Sequence, residues 1–274
     1  MFEPLTTHHR LVKKWDHNKM NWLVYDHYGY AIIAVIGTFA ALVGLQWIIQ
    51  SRKLSPWVTS LQGVAPPFIN VVGVLFALTL AFLANDTWIA HDRAVKAVYK
   101  EADSLHAIGT LASKLPEPLK SELKHVLIAY ADANVAEWPN LADRKINPEV
   151  SDRADALFNL IASSRIAAAA GDNVQEVMLR KMSEISDERD QRIALSQTHV
   201  NPLKWLGMGF LGLLTLISVA MVHLENPRAA FSAMLIFALA AAPTAAIVLV
   251  QGNPFQPPAN VSPTPIIKSV ESLK

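Results

Sequence analysis

The chain has 274 residues, with 24 Lys and Arg against 23 Asp and Glu, and a net charge of +1. That balance excludes a protein that grips nucleic acid by charge, which needs a large basic excess, so no nucleic-acid partner is expected. The absence of cysteine excludes a disulfide scaffold, a thiolate nucleophile, an iron–sulfur cluster and a cysteine zinc site.

Hydrophobic residues make up 52% of the chain and mean hydropathy is +0.26, high for a soluble globule. The charges are unevenly placed. Residues 29–51, 54–85, 205–224 and 229–267 contain no Asp, Glu, Lys or Arg. A helix needs roughly 20 apolar residues to cross a bilayer. Four segments meet that length, at about 30–49, 67–88, 205–222 and 229–250. The expected fold is therefore all-α, with four transmembrane spans and a polar helical insert between spans two and three.

The parts follow in chain order. Residues 1–28 mix Lys, His and aromatics, with Leu11, Trp15 and Trp22 on one helical face. They read as an interfacial helix on the inner leaflet or as a basic leader. Residues 29–90 hold spans one and two, 91–204 the insert, 205–251 spans three and four, and 252–274 a Pro-rich tail. Lys13, Lys14, Lys19, Arg93, Lys96, Lys100, Arg192 and Lys204 lie on one side of the membrane. Arg52, Lys53 and Arg228 lie on the other. The positive-inside rule then places the insert and both termini in the cytoplasm.

Within the insert, Val95, Val98, Ala102, Leu105 and Ala112 continue the helical period of span two with no breaker before Pro116. One helix is expected from Pro67 to about Leu115. A second carries Leu119, Leu123, Val126, Leu127, Tyr130 and Asn134 on one face and stops at Trp138-Pro139. A third starts with Asn147 as its cap and Pro148 in its first turn, and ends near Gly171. A fourth starts at Asp172, with Gln175 at capping-box spacing, and carries Val174, Met178, Ile185 and Ile193. Pro202 is expected to kink the entry to span three. The tail reads as an extended strap closed by one amphipathic turn at Ile266, Ile267, Val270 and Leu273. It either binds its own insert or a neighbour, or is loose.

The chemistry-bearing residues are few. The histidines form no metal-ligand spacing, and no Gly-rich phosphate loop or nucleophile elbow is present. No enzyme activity and no cofactor are expected. Span two is the most informative segment. Asn70, Gly73, Val74, Ala77, Ala81 and Asn85 share one face, and bulkier Leu75, Phe76 and Phe82 lie elsewhere. Small residues and amides on one stripe suit close helix packing. They equally suit the lining of a pore in a homo-oligomer, with Asn70 near the outer mouth and Val74 and Leu78 as a hydrophobic constriction. Arg93, Lys96 and Lys100 would then form a positive rim that attracts ions, or serve only as membrane anchors. The partners this implies are the lipid bilayer, further copies of the chain and small inorganic ions. No carboxylate sits at mid-membrane, which disfavours a proton-driven motor.

The order of parts resembles the bestrophin-like domain family. The resemblance is carried by the run from Gly73 to Trp88, by Ala94-Val95 with Val98-Tyr99, Glu101-Ala102 and Leu105, and by Leu115-Pro116. It continues through Tyr130, Glu137-Trp138-Pro139, Asn253-Pro254-Phe255 and Val261-Ser262-Pro263. It implies kinship with bestrophins, which are pentameric anion channels, and so a chloride-permeable pore lined by span two. Pro67 and Gly73 match the bestrophin neck, whereas its two aromatic positions read Asn70 and Val74 here. A second reading is a non-conducting scaffold or sensor whose insert binds a partner.

Overall fold

Ten helices and no strand make up the described part of the computed structural model, which comprises residues 25–51, 60, 63, 66–258, 260–271 and 273. They are α1 (Asp26–Gln50), α2 (Pro66–Ala112), α3 (Leu119–Ala136), α4 (Trp138–Ala142), α5 (Pro148–Ile161), α6 (Ser164–Ala170), α7 (Asp172–Ser196), α8 (Pro202–Val222), α9 (Pro227–Val250) and α10 (Thr264–Glu271). The N-terminal interfacial helix expected around Leu11, Trp15 and Trp22 lies outside the described residues, as do Arg52 and Lys53. The chain forms two units, Met1–Trp88 with His199–Gly252, and Ile89–Thr198 with Asn253–Lys274.

Among its described residues the first unit contains four helices long and apolar enough to cross a membrane, counting the first part of α2. Its packing is built on small residues. Ala230, Ala238, Ala242 and Ala245 recur along one buried face of α9, at 5% exposure or less. Such residues let backbones approach closely where lipid supplies no hydrophobic drive. Leu42, Ile49, Leu216, Ala220 and Met234 fill the space between α1, α8 and α9. Pro243 lies inside α9, which runs on through it. Gln46 of α1 donates its amide to the Pro227 carbonyl at 3.2 Å.

Asn201 accepts from the backbone N–H groups of Leu203 and Lys204, with Pro202 in the first turn of α8. Asn226 does the same for Arg228 and Ala229 at the start of α9. The expected kink at Pro202 is therefore a clean break. The α7 helix stops at Ser196, residues 197–201 are non-helical, and Asn201 begins a new helix. Proline has no N–H to lose in a first turn, so it starts a helix there without cost.

The second unit is a bundle around one core. The continuous helix expected from Pro67 is present as α2, 47 residues long. The face expected on the second insert helix is buried on α3, with Leu123, Leu127, Tyr130 and Asn134 all at 0% exposure. The single helix expected from Asn147 to Gly171 is instead two, broken at Ala162 and Ser163. Gln175 explains how the break is tolerated. Its amide donates to the carbonyls of Ile161 at 2.8 Å and Ser163 at 3.0 Å. It satisfies the end of α5 and does not close the capping box on its own helix, whose N-cap is Gly171.

The tail packs on its own insert. Phe255, Val261, Ile266 and Val270 are buried in the core of this unit. Asn253 donates to the Ser196 carbonyl at 3.1 Å, and Gln256 to the Ala142 carbonyl at 2.8 Å. The expected amphipathic turn is the two-turn helix α10.

Candidate functional site

In the first unit, the membrane portion of α2 has three sides. At about 100° per residue, Phe76, Leu80 and Leu83 fall together on one side. This side packs: Leu83 is buried with Met208, Ala245 and Val248, and the Phe76 and Phe237 rings lie 5.6 Å apart. A second side carries Phe68, Val71, Leu75 and Phe82, large apolar groups that are all exposed. The third carries Asn70, Val74, Ala77, Ala81 and Asn85 within an arc of about 80°, with Leu78 at its edge. These residues are exposed too, Val74 by 57% and Leu78 by 50%. The side chains of Asn70 and Asn85 have no hydrogen-bond partner among the described residues. Small groups and unpaired amides suit contact with water or another helix better than contact with lipid tails. Near the end of the same segment, Asp86 pairs with Lys204 at 2.9 Å.

In the second unit, α2 carries Arg93, Lys96 and Lys100 on its exposed surface. The two lysines have carboxylate partners. Lys96 meets Asp92 at 2.6 Å and Lys100 meets Glu188 at 3.0 Å. The Lys96 pair is exposed and of a kind that contributes about 0–1 kcal/mol, whereas Lys100 reaches a glutamate whose side chain is only 12% exposed. Both pairs offset positive charge on this surface, where Asp103 is exposed as well.

The most developed polar cluster in this unit was not legible as a cluster in the sequence. Glu101 on α2 and Arg192 on α7 are both 0% exposed, and Arg192 Nε lies 2.9 Å from Glu101 Oε2. Tyr130 donates to Glu101 Oε1 at 2.8 Å, and Asn134 Nδ2 donates to the same oxygen. Arg192 Nη2 donates to Asn134 Oδ1 at 2.8 Å, and its guanidinium stands 4.8 Å above the Trp138 ring. Trp138 donates its indole N–H to the Val261 carbonyl at 2.7 Å and meets Phe255 edge-on. Beside this group, Glu137 accepts from Arg189 at 2.8 and 3.2 Å and from the Asn147 N–H at 3.0 Å. Glu101, Tyr130, Glu137, Trp138, Phe255 and Val261 are among the insert and tail residues that carry the family resemblance. Their convergence was invisible because the partners lie up to 123 positions apart. The signals were polar groups on otherwise apolar helical faces, Glu101 on α2 and Asn134 with Tyr130 on α3.

Burial pushes the Tyr130 hydroxyl well above its usual value of 10.0, and the Glu101 carboxylate pushes it the same way. A group raised on folding contributes stability that is full below its unfolded pKa and lost as pH climbs toward its folded one. The insert is therefore expected to weaken as pH rises past about 10. Tyr130→Phe should cost about 1.5–3 kcal/mol at neutral pH, the range for a hydrogen bond to a charged group. It should also flatten the alkaline loss. Denaturant midpoints from about pH 8 to about pH 11 check this, and an unchanged alkaline slope would remove Tyr130 as its source.

These features define a four-span helical membrane protein with a helical insert. A family model for the bestrophin-like domain matches residues 36–266, and the chain belongs to that family. Solved structures with the same fold include a bacterial bestrophin homologue from Klebsiella pneumoniae, in two single-substitution variants. One is 15% identical with a TM-score of 0.59, and the match covers 88% of this chain and 95% of that one. The other is 16% identical with a TM-score of 0.59, over 88% and 95% of the two chains. A further membrane protein is 13% identical with a TM-score of 0.62, over 90% of this chain and 96% of its own. At these identities the likeness is one of fold. No curated protein matches the chain.

Proposed function

We propose that this chain is the subunit of a homo-oligomeric membrane ion channel, with its pore lined by the Asn70, Val74, Ala77, Leu78 and Ala81 stripe of α2. One observation carries the reading. The stripe is not covered by any of the described residues, while a different side of the same helix packs and a third presents large apolar groups. Family membership supports the same kind of protein. Val74 and Leu78 form the constriction, which gates by excluding water, and Asn70 supplies a polar contact. The insert lies in the cytoplasm of a bacterial inner membrane, as the distribution of Lys and Arg favours.

Anion permeation, chloride included, is the first reading of selectivity and rests on Arg93, Lys96 and Lys100. The pairing of both lysines with Asp92 and Glu188 favours a second reading, cation permeation. Purified protein in a planar bilayer under an asymmetric KCl gradient separates the two. A reversal potential near the chloride value supports the first, and one near the potassium value the second. No current from an intact oligomer, over a range of voltage and pH, would favour the scaffold reading.

Val74→Ala and Leu78→Ala are expected to raise unitary conductance, by up to about tenfold if the barrier falls by about 1.4 kcal/mol. Phe82→Ala, on the large apolar side, should leave it unchanged. Equal effects on both sides would overturn the pore assignment.

A further inference from the structure

The part of α2 that packs in the insert presents Ala94, Ala97, Val98, Ala102, Leu105, Ile108 and Ala112 to the core. Most of these groups are small and alike. Along the row Ala94, Val98 and Ala102 a slide of four residues exchanges only alanine with valine, so the apolar groups of that row discriminate poorly between registers. Glu101 breaks the uniformity, as the fully buried charge on that face.

We propose that the Glu101–Arg192 pair, held by Tyr130, Asn134 and Trp138, is a positioning device that sets the register and rotation of α2 in the insert. The reasoning compares the alternatives. A slide of one turn either way brings Ala97 or Leu105 to the place of Glu101. It leaves the Arg192 guanidinium, 0% exposed, with no counter-charge. A rotation by one residue brings Ala102, with the same result, or Lys100, which sets a cation against a cation. Each wrong register buries an uncompensated charge, which is strongly unfavourable. The correct one gives Arg192 three kinds of contact at once: the carboxylate, the Asn134 amide and the Trp138 face. A buried ion pair often adds little net stability over an apolar pair of the same volume, so its use lies in excluding alternatives. What it fixes is which residues of α2 face outward, among them Tyr99 and Asp103. The inference concerns the insert alone and holds whether or not the chain conducts.

The chain contains no cysteine, so single cysteines report cleanly. The full-length protein would carry one at Tyr99 or Asp103, which face out, at Val98 or Ala102, which face in, or at the buried Leu123 of α3. Each is placed in the wild-type background, in Arg192→Met, and in the double variant Glu101→Leu/Arg192→Met. In wild type, a thiol reagent should modify the outward positions at least about 100-fold faster than the inward ones. In the double variant the thermal midpoint should stay within a few degrees of wild type, and Leu123→Cys should stay protected. The contrast on α2 should nevertheless shrink to about tenfold or less, because several registers become populated. An unchanged contrast in the folded double variant overturns the proposal. So does exposure of Leu123→Cys together with a fall in midpoint like that of Arg192→Met, since the pair would then be a stability element only. Should the apolar pair fail to fold, Glu101→Gln/Arg192→Gln is read by the same two criteria.

Discussion

Glu137→Ala is expected to destabilise the insert by about 3–5 kcal/mol, the range for stripping one partner from a buried ion pair. Glu137 is 0% exposed and Arg189 only 7%, so water cannot readily replace the lost carboxylate. Arg189 would keep only weaker contacts, to Ser151 Oγ at 3.3 Å and the Asn147 carbonyl at 3.4 Å. The loss spreads to a second element. Glu137 also accepts from the Asn147 N–H, and Asn147 in turn caps α5 through the Glu149 N–H at 3.1 Å. One carboxylate thus ties the end of α3 to α7 and to the start of α5. Glu137→Ala/Arg189→Met removes both charges and should recover most of the loss. Denaturant titration of the full chain in detergent, followed by helical circular dichroism and tryptophan fluorescence, reads both variants. A cost for Glu137→Ala below about 1 kcal/mol would show that the pair is hydrated like a surface one.

Gly252→Ala is expected to be the most damaging single-methyl change in the first unit. A Cβ built on Gly252 would lie 1.9 Å from Cε1 and 2.0 Å from Nδ1 of His27. The cause is space and not backbone strain, because Gly252 does not have a positive φ. His27 is 4% exposed, so its ring has nowhere to swing. Forced overpacking of this sort costs about 1–3 kcal/mol, and the severity of the overlap points to the upper end. Gly109→Ala is the contrast. Its Cβ would meet Leu273 Cδ1 at 2.7 Å, but that atom is the far end of a flexible side chain. Alanine also gains about 0.8–1 kcal/mol over glycine inside a helix. Gly109→Ala should therefore be close to neutral. Thermal unfolding of both variants in detergent tests the pair, and Gly252→Ala/His27→Ala should recover part of the loss. Equal midpoints for Gly252→Ala and wild type would show that the His27 ring yields.

The places where sequence and structure diverge share one origin. Asn147-Pro148 reads as a helix start, and it is one. Asn201-Pro202 is the same pair of residues, yet it lies where an apolar period resumes directly after a polar helix. Continuity across it therefore looked natural, and only a kink was expected. The chemistry is identical at both sites: an asparagine oxygen takes orphan N–H groups, and a proline has none to lose. The signal was present and was outweighed by the pattern around it. Gln175 is a different case. Its spacing from Asp172 matches a capping box, but a longer-range partner, the frayed end of α5, competes for the amide and wins. Local spacing carries no information about such a competitor.

Four spans, the unbroken helix α2 and the buried face of α3 follow from the sequence alone. The reason is that hydrophobic length and period are properties of the chain, read within a few turns. The family, too, was legible in short anchors spread along the chain. The tertiary structure alone decided three further matters. It buried the tail in its own insert. It joined Glu101, Tyr130, Asn134, Trp138 and Arg192 into one network. Among the described residues it left the Asn70–Ala81 stripe exposed while Phe76 and Leu83 packed. Each of these depends on which distant residue arrives within hydrogen-bond or van der Waals reach, and short-range pattern holds no record of that.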